Sequence, residues 1–397
     1  LAGILTLRVL LRVASTGNLL TVSDGGRPTT KNRSVDSPTS PHASRREFFG
    51  WAGGIGALAG VLAVGARSLA THSEVESARS KITLPPSSPG PGSLVSPTDA
   101  NAVQGLSPYI TPNANFYKID TTLVAPQVDP ANWSLKVSGM VDHPFELSFN
   151  DLLKMPQVEE TVTLSCVSND VGGDLVGNAK WQGVRLADLL QRAGVQKGAT
   201  QIVGTSVDDF TAGFPTAIGT DGRIAMVAIG MNGEPLPINH GFPARLVVAG
   251  LYGYVSATKW LTEIKLTTLE SFDGYWIDKG WSKDGPIKTA SRIDVPRGSS
   301  TIPVGKTPIA GVAWAPTRGI AKVEVQVDDG PWTGAKLLEV TNDNTWRQWV
   351  LAWDATPGVH TLRVRATDGT GATQTDKYSP PDPNGATGWD SQTIRVG

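Results

Sequence analysis

The sequence predicts an α+β domain followed by an immunoglobulin-like β-sandwich, set behind an apolar and basic leader. Three observations carry that reading. Between residues 106 and 289, strand-like alternation and helix-like spacing are interleaved. From Ile293 onward the helical spacing vanishes and only alternation remains. Glycine (44 residues), proline (28) and tryptophan (12) are abundant, as in a turn-rich chain of sheets with aromatic core fillers.

The elements follow in chain order. "LAGILTLRVLL" within residues 1–20 reads as the end of a transmembrane helix whose start is missing. Residues 21–46 form a basic loop that ends in the pair Arg45–Arg46. Residues 47–70 hold a charge-free Gly/Ala-rich run from Gly50 to Ala66, at the short end for a membrane span. An arginine pair directly before such a run resembles a twin-arginine export signal, cleaved or kept as an anchor. A basic loop stays on the cytoplasmic side, which places everything after Arg67 outside the cytoplasmic membrane. Residues 71–105, rich in Ser and Pro, read as a flexible linker.

In residues 106–289, "WSLKVSGMV" alternates as a half-buried strand, and "SFNDLLKMP" reads as a short capped helix stopped by Pro156. "TVTLSC" puts Val162, Leu164 and Cys166 on one strand face, with the thiol inward. "VRLADLLQRAG" spaces Leu186, Leu189, Leu190 and Ala193 as a helix ended by Gly194, and "RLVVAG" reads as a buried strand. In residues 290–397, "IAKVEVQVDDG" and "HTLRVRATDG" alternate Val323, Val325 and Val327, then Leu362, Val364 and Ala366, toward a core. Trp314, Trp346, Trp349 and Trp353 are the candidate fillers of that core.

Composition removes several function classes. A net charge of -1 gives no bulk attraction for nucleic acid. One cysteine, Cys166, excludes a disulfide framework, a thiolate zinc cluster and a cysteine-held iron–sulfur cluster. The histidines at 42, 72, 143, 240 and 360 have no helical ligand spacing. Neither a "CxxCH" haem motif nor a Gly-rich dinucleotide loop is present, so redox chemistry would need an external electron carrier.

Cys166 therefore has three readings from the residues alone. It is a small buried hydrophobe, a nucleophile with His240 as its base, or the single soft ligand of a cofactor metal that brings its other ligands. The glycines of "VGGD" just after it would let a bulky group approach the backbone.

Two ordered blocks bear on that choice: "TVTLSCVSNDVGGDLVGNAKWQGVRLADLL" and "MNGEPLPINHGFPARLVVAGLYGYVSATKWLTEIKL". Together with "NFYKID" they resemble the sulfite oxidase family, over residues 106–397. The resemblance implies a molybdopterin-binding domain followed by the family's sandwich, a domain type that often mediates homodimers. It implies a molybdenum–molybdopterin cofactor, with the metal held by the pterin dithiolene and Cys166. It implies oxygen-atom transfer with a small-molecule substrate, and a separate electron carrier, a cytochrome for example. His240 and Arg245 match positions that hold the pterin and its phosphate, for which a guanidinium offers forked donors. Ser256, Thr258 and Lys259 match the stretch that closes on the cofactor's other end. Asn115, Tyr117 and Lys118 sit in the opening motif, with Lys118 also a candidate catalytic residue. Thr205 in "GTSVDDFT" is a further cofactor-binding candidate. Plain structural roles stay open for His240 as a turn residue, Arg245 as an ion-pair partner, Tyr117 in the core and Lys259 as a solvated charge.

The pattern also departs from sulfite oxidases. Val171 stands where the family has an arginine, Lys118 where it has another, and Ile229 where it has a tyrosine. The expectation is a molybdenum-dependent oxidoreductase acting on a sulfoxide or another small S- or N-oxide. The alternatives are a true sulfite oxidase with a rearranged anion site, or an inactive cell-surface binding protein on the same fold.

Overall fold

The computed structural model describes residues 71, 73–89 and 103–397. The transmembrane, twin-arginine and anchor readings for residues 1–70 lie outside the described residues. Among the described residues no helix is long and apolar enough to cross a membrane.

Two sheets build the part before residue 290. A six-stranded sheet runs in the order Ser87–Pro89, Gln157–Ser165, Val176–Arg185, Ala225–Met231, Arg245–Val248, with Glu234–Pro235 folded back on Ala225–Met231. A five-stranded sheet runs Phe145–Ser148, Ser134–Gly139, Leu261–Thr267, Gln201–Ser206, Thr211–Pro215. Val162 and Leu164 alternate into a core around Trp181, so the strand that carries them aims its next residue of that parity, Cys166, the same way.

Two helices form where the spacing predicts them. Phe149–Lys154 starts on a reciprocal capping box between Ser148 and Asp151 and stops before Pro156. Leu186–Ala193 buries Leu186, Leu189, Leu190 and Ala193 against the core and ends at Gly194, whose φ of 64° is the left-handed conformation that glycine tolerates.

The C-terminal part is a sandwich of a four-stranded and a five-stranded sheet. Val323, Val325, Leu362, Val364 and Ala366 fill its core, with Trp349 among them. Trp353 packs only at its margin, and Trp314 and Trp346 belong to the core of the preceding domain. Trp346 crosses the junction and donates its indole N–H to the Tyr109 carbonyl at 2.8 Å. Arg292 reaches across as well, donating to the Gly173 carbonyl at 2.8 Å. The sandwich thus braces the loop that follows Cys166.

The flexible-linker reading is corrected over part of its length. Residues 73–80 are helical, and Ser87–Pro89 adds a parallel strand beside Gln157–Glu159. Val75 supplies a buried apolar anchor and Arg79 an ionic one to Glu234 at 3.0 Å, enough to dock a Ser/Pro-rich segment.

Candidate functional site

A cleft with about 910 Å³ of empty space, counting its mouth, opens beside the end of the Gln157–Ser165 strand. That is within the size range of cofactor and ligand sites. Five of the residues singled out from sequence meet on its walls: Tyr117, Cys166, His240, Arg245 and Lys259.

Cys166 is 8% exposed, and the Ser168 N–H points to its Sγ at 3.4 Å. Burial pushes the thiol's pKa up, against the hydrogen bond from Ser168. In the bare cleft the sulfur keeps its proton, and a soft metal ion would displace it. Among the described residues no group of three or more His, Cys, Asp or Glu is placed to hold a metal ion. A metal on this sulfur therefore needs most of its ligands from its own cofactor.

His240 is buried in a short helical turn, Ile238–His240, with Phe116 edge-on at 5.6 Å. Its Nε2 lies 3.0 Å from the Asn113 carbonyl. A carbonyl only accepts, so Nε2 carries the hydrogen and Nδ1 is left as an acceptor. Burial drives the pKa down to about 4, with Arg245, Lys259 and Lys118 adding to the effect, so the ring is neutral at pH 7.

Arg245 is 5% exposed, and among the described residues it forms no ion pair. Its donors go to three carbonyls, His240 at 3.1 Å, Leu246 at 3.3 Å and Ala257 at 3.4 Å, while its carbon lies 5.0 Å over the Trp181 ring. Burial lowers its pKa to about 10, which still leaves it charged. A buried guanidinium without a carboxylate invites an anion. Lys259 differs. It pairs with Asp120, donates to the Asn239 carbonyl at 3.1 Å, and burial lowers its pKa to about 8. Tyr117 stacks on Phe116, and burial raises its phenol far above the usual range, so it stays a neutral donor.

The other candidates are not brought to the cleft. Asn115 and Lys118 are exposed and do not line it. Lys118 stands exposed beside the cleft, near enough to His240 to bear on its titration, and is not part of the wall. Ser256 donates to the Tyr252 carbonyl at 3.0 Å and Thr258 to the Gly204 carbonyl at 3.4 Å, so both hydroxyls serve local packing. Thr205 accepts through its carbonyl from Thr262, on the opposite side of its strand from the cleft-lining Ser206.

Two polar residues missed by sequence reasoning take its place. Ser206 Oγ and Asp208 Oδ1 are buried, line the cleft and lack any hydrogen-bond partner. Strand parity from Ile202 through Gly204 would have pointed to Ser206. Aromatic side chains, Tyr254, Trp276 and Trp281, close another wall. Tyr254 lies in the short helix Gly253–Ser256, and Trp276 and Trp281 flank the turn Ile277–Lys279 beyond the next strand, so no common spacing marks them. Gly253 leaves room between the Tyr117 hydroxyl and the Ser165 carbonyl, each 4.0 Å from where a Cβ would stand.

The glycines after Cys166 serve another purpose than the expected one. A Cβ on Gly172 would stand 2.6 Å from Asp390, and one on Gly173 would stand 2.7 Å from Asn169. They allow the loop to fold and to touch the sandwich. Val171 lines a separate, smaller pocket at that junction, and Ile229 is fully buried in the core.

The donor set suits a pterin. Arg245 offers an unpaired cation for a phosphate, orphaned Ser206 and Asp208 oxygens offer acceptors for ring N–H groups, and Cys166 offers one thiolate. A cofactor-binding family known by the description "Oxidoreductase molybdopterin binding domain" matches residues 122–276. The chain is 30% identical over 321 residues to mitochondrial sulfite oxidase of Homo sapiens, covering 68% of this chain and 58% of that protein. It is 30% identical over 305 residues to sulfite oxidase of Arabidopsis thaliana, covering 62% of this chain and 77% of that protein. It is 36% identical over 183 residues to the uncharacterized oxidoreductase YuiH of Bacillus subtilis (strain 168), covering 44% of this chain and 87% of that protein. In fold it matches the crystal structure of the sulfane dehydrogenase SoxCD from Paracoccus pantotrophus, with a TM-score of 0.62 at 23% identity over 73% of this chain and 84% of that chain. The chain spans little more than half the length of the human relative. On these matches the chain belongs to the sulfite oxidase family of molybdopterin-binding oxidoreductases.

Proposed function

We propose that the protein is a molybdenum-cofactor-dependent oxidoreductase acting on a small, uncharged S- or N-oxide or its reduced partner. The observation that carries the reading is a lone thiol and an unpaired buried guanidinium in one cleft, Cys166 and Arg245. When bound, the cofactor supplies two-electron oxygen-atom transfer. The chain's residues do the rest. Cys166 would hold the metal as a thiolate, and Arg245 would hold the phosphate. Ser206 and Asp208 would accept from the pterin ring, and His240 would meet it through the Nδ1 lone pair. Tyr117 stays protonated and can hand a hydrogen bond to a developing oxyanion near Cys166. Tyr254, Trp276 and Trp281 would shield the reacting atoms from water.

The substrate class follows from the cleft's charges. Its basic side chains are Arg245, committed to phosphate, and Lys259, paired with Asp120. Where the family resemblance expects groups for a dianion, Val171 and Ile229 are aliphatic and Lys118 faces solvent. The names of the sulfite oxidases favour a second reading, oxidation of sulfite itself. Metal and pterin analysis of purified protein, followed by turnover with a dye, separates these readings. Sulfoxide- or N-oxide-dependent oxidation of a reduced dye supports the first, and sulfite-dependent dye reduction the second. Protein free of molybdenum from a cofactor-competent host would leave only a binding role.

The leader supports twin-arginine export and a tether to the outer face of the cytoplasmic membrane. Electron exchange with a separate carrier, a cytochrome for example, fits a chain with no haem motif. A homodimer through the sandwich is part of the same reading.

A further inference from the structure

We infer that residues 73–89 form a strap that fixes the cofactor-binding histidine, with Arg79 as a positioning residue for His240. The inference rests on the cofactor reading above.

The segment is tied down along its whole course. Val75 is buried in the core that holds Phe116 and Trp181. A Cβ on Gly230 would meet Leu84 at 2.7 Å, so the strap lies directly on the Ala225–Met231 strand. The Pro85 carbonyl accepts from Gln182 at 2.7 Å, and Ser87–Pro89 then pairs with Gln157–Glu159.

Arg79 is the polar centre of this contact. Its guanidinium donates to the Leu236 carbonyl at 2.9 Å and to the Pro235 carbonyl at 2.9 Å. It also pairs with Glu76 at 2.7 Å and with Glu234 at 3.0 Å. The other oxygen of Glu234 accepts from the Asn113 side-chain amide at 2.5 Å. The Asn113 backbone carbonyl in turn accepts from His240 Nε2 at 3.0 Å. A continuous path therefore runs from Arg79 through Glu234 and Asn113 to the imidazole. The same guanidinium clamps the two carbonyls just before the turn that carries His240. Asn113 is held from the other side by Asn232, which donates to its side-chain oxygen at 2.7 Å. Among the described residues the Asn113 carbonyl is the imidazole's hydrogen-bond partner, so whatever holds Asn113 helps fix the tautomer and the ring.

The test uses the full chain with Arg79→Ala, Glu234→Ala, the double variant, Arg79→Lys and the control Glu76→Ala. Pterin remaining per protein is followed during dialysis, as fluorescence after oxidation. Amide exchange is followed in cofactor-free protein. Arg79→Ala and Glu234→Ala should each speed pterin loss by about threefold or more, one hydrogen bond's worth. The double variant should be no worse than the worse single, because both cut one path. Arg79→Lys should recover part of the loss, and Glu76→Ala should behave as wild type. Residues 231–241 should exchange faster in Arg79→Ala, with the sandwich strands unchanged. Wild-type retention by Glu234→Ala, or exchange that rises evenly along the chain in Arg79→Ala, would overturn the inference. Wild-type protein lacking pterin would instead overturn the cofactor reading, and the exchange pattern would then decide the strap alone.

Discussion

Replacing Arg245 by methionine should leave the stability of the empty protein nearly unchanged while lowering the retention of its cofactor. In the bare cleft the guanidinium is charged, buried and without a carboxylate. Burial lowers its pKa from the usual guanidinium range to about 10, which corresponds to about 3 kcal/mol against the charged form. Its compensation is three carbonyls, two of them at 3.3 Å and 3.4 Å, long enough to be weak. Methionine keeps most of the volume and the contact with Trp181 while removing the charge. The cofactor-free variant should therefore be as stable as wild type, within about 1 kcal/mol. With cofactor bound, the loss of two charge-assisted bonds to a phosphate costs about 3 kcal/mol, a hundredfold or more in retention. Denaturant unfolding of cofactor-free protein and pterin content after dialysis measure the two halves. If the variant keeps its pterin like wild type, or if the empty form loses as much stability as the loaded one, the phosphate role assigned to Arg245 is wrong.

Other predictions concern titration and fold. His240 has a folded pKa of about 4, below its ordinary 6.5, so the unfolded chain binds the extra proton first as pH falls. Its stabilising effect is present above pH 6.5 and lost toward pH 4. Between pH 7 and pH 5 it should take away about 2 kcal/mol in cofactor-free protein, and denaturation of His240→Gln should show that slope removed. Glu160 has the opposite sign. Burial raises its pKa to about 7, one of its oxygens is without a partner, and its stabilising protonated form is lost as pH rises from 4.5 through 7. Glu160→Gln should stabilise the protein at pH 8 by about 1–2 kcal/mol, and an unchanged denaturation midpoint there would count against a buried carboxyl. Gly253→Val should fill the space between Tyr117 and Ser165 and lower pterin content while leaving the unfolding midpoint nearly unchanged.

Much of this fold is written in local chemistry. Leu186, Leu189, Leu190 and Ala193 mark their helix because its buried face repeats every three to four residues, and Gly194 ends it. Val323, Val325, Leu362 and Val364 mark sandwich strands because alternate residues face one core. The strap at 73–89 escaped that reading because it docks through a few scattered side chains and its backbone, while its Ser/Pro content matches free chain. At the site, Cys166 and His240 were legible as rare residue types, and Arg245 by its place in an ordered block. Ser206 and Asp208 were not, because an orphaned oxygen is a property of the folded surroundings and not of the residue. Thr205 and its neighbour Ser206 lie on opposite faces of one strand, and a shift of one residue reverses the face. Lys118 is exposed beside the cleft, and its exposure is a property of the folded chain that the motif does not carry. The glycines after Cys166 were read as making room for a cofactor, yet their neighbours are Asp390 and Asn169.

The central claim is that Cys166 Sγ binds the molybdenum of a pterin cofactor in this cleft. X-ray absorption at the molybdenum edge of wild-type protein and Cys166→Ser tests it most directly. Loss of one sulfur from the metal's coordination shell in the serine variant, with the fold intact, is the result expected. An identical sulfur count in both proteins, or wild-type protein that takes up no molybdenum from a competent host, would contradict it.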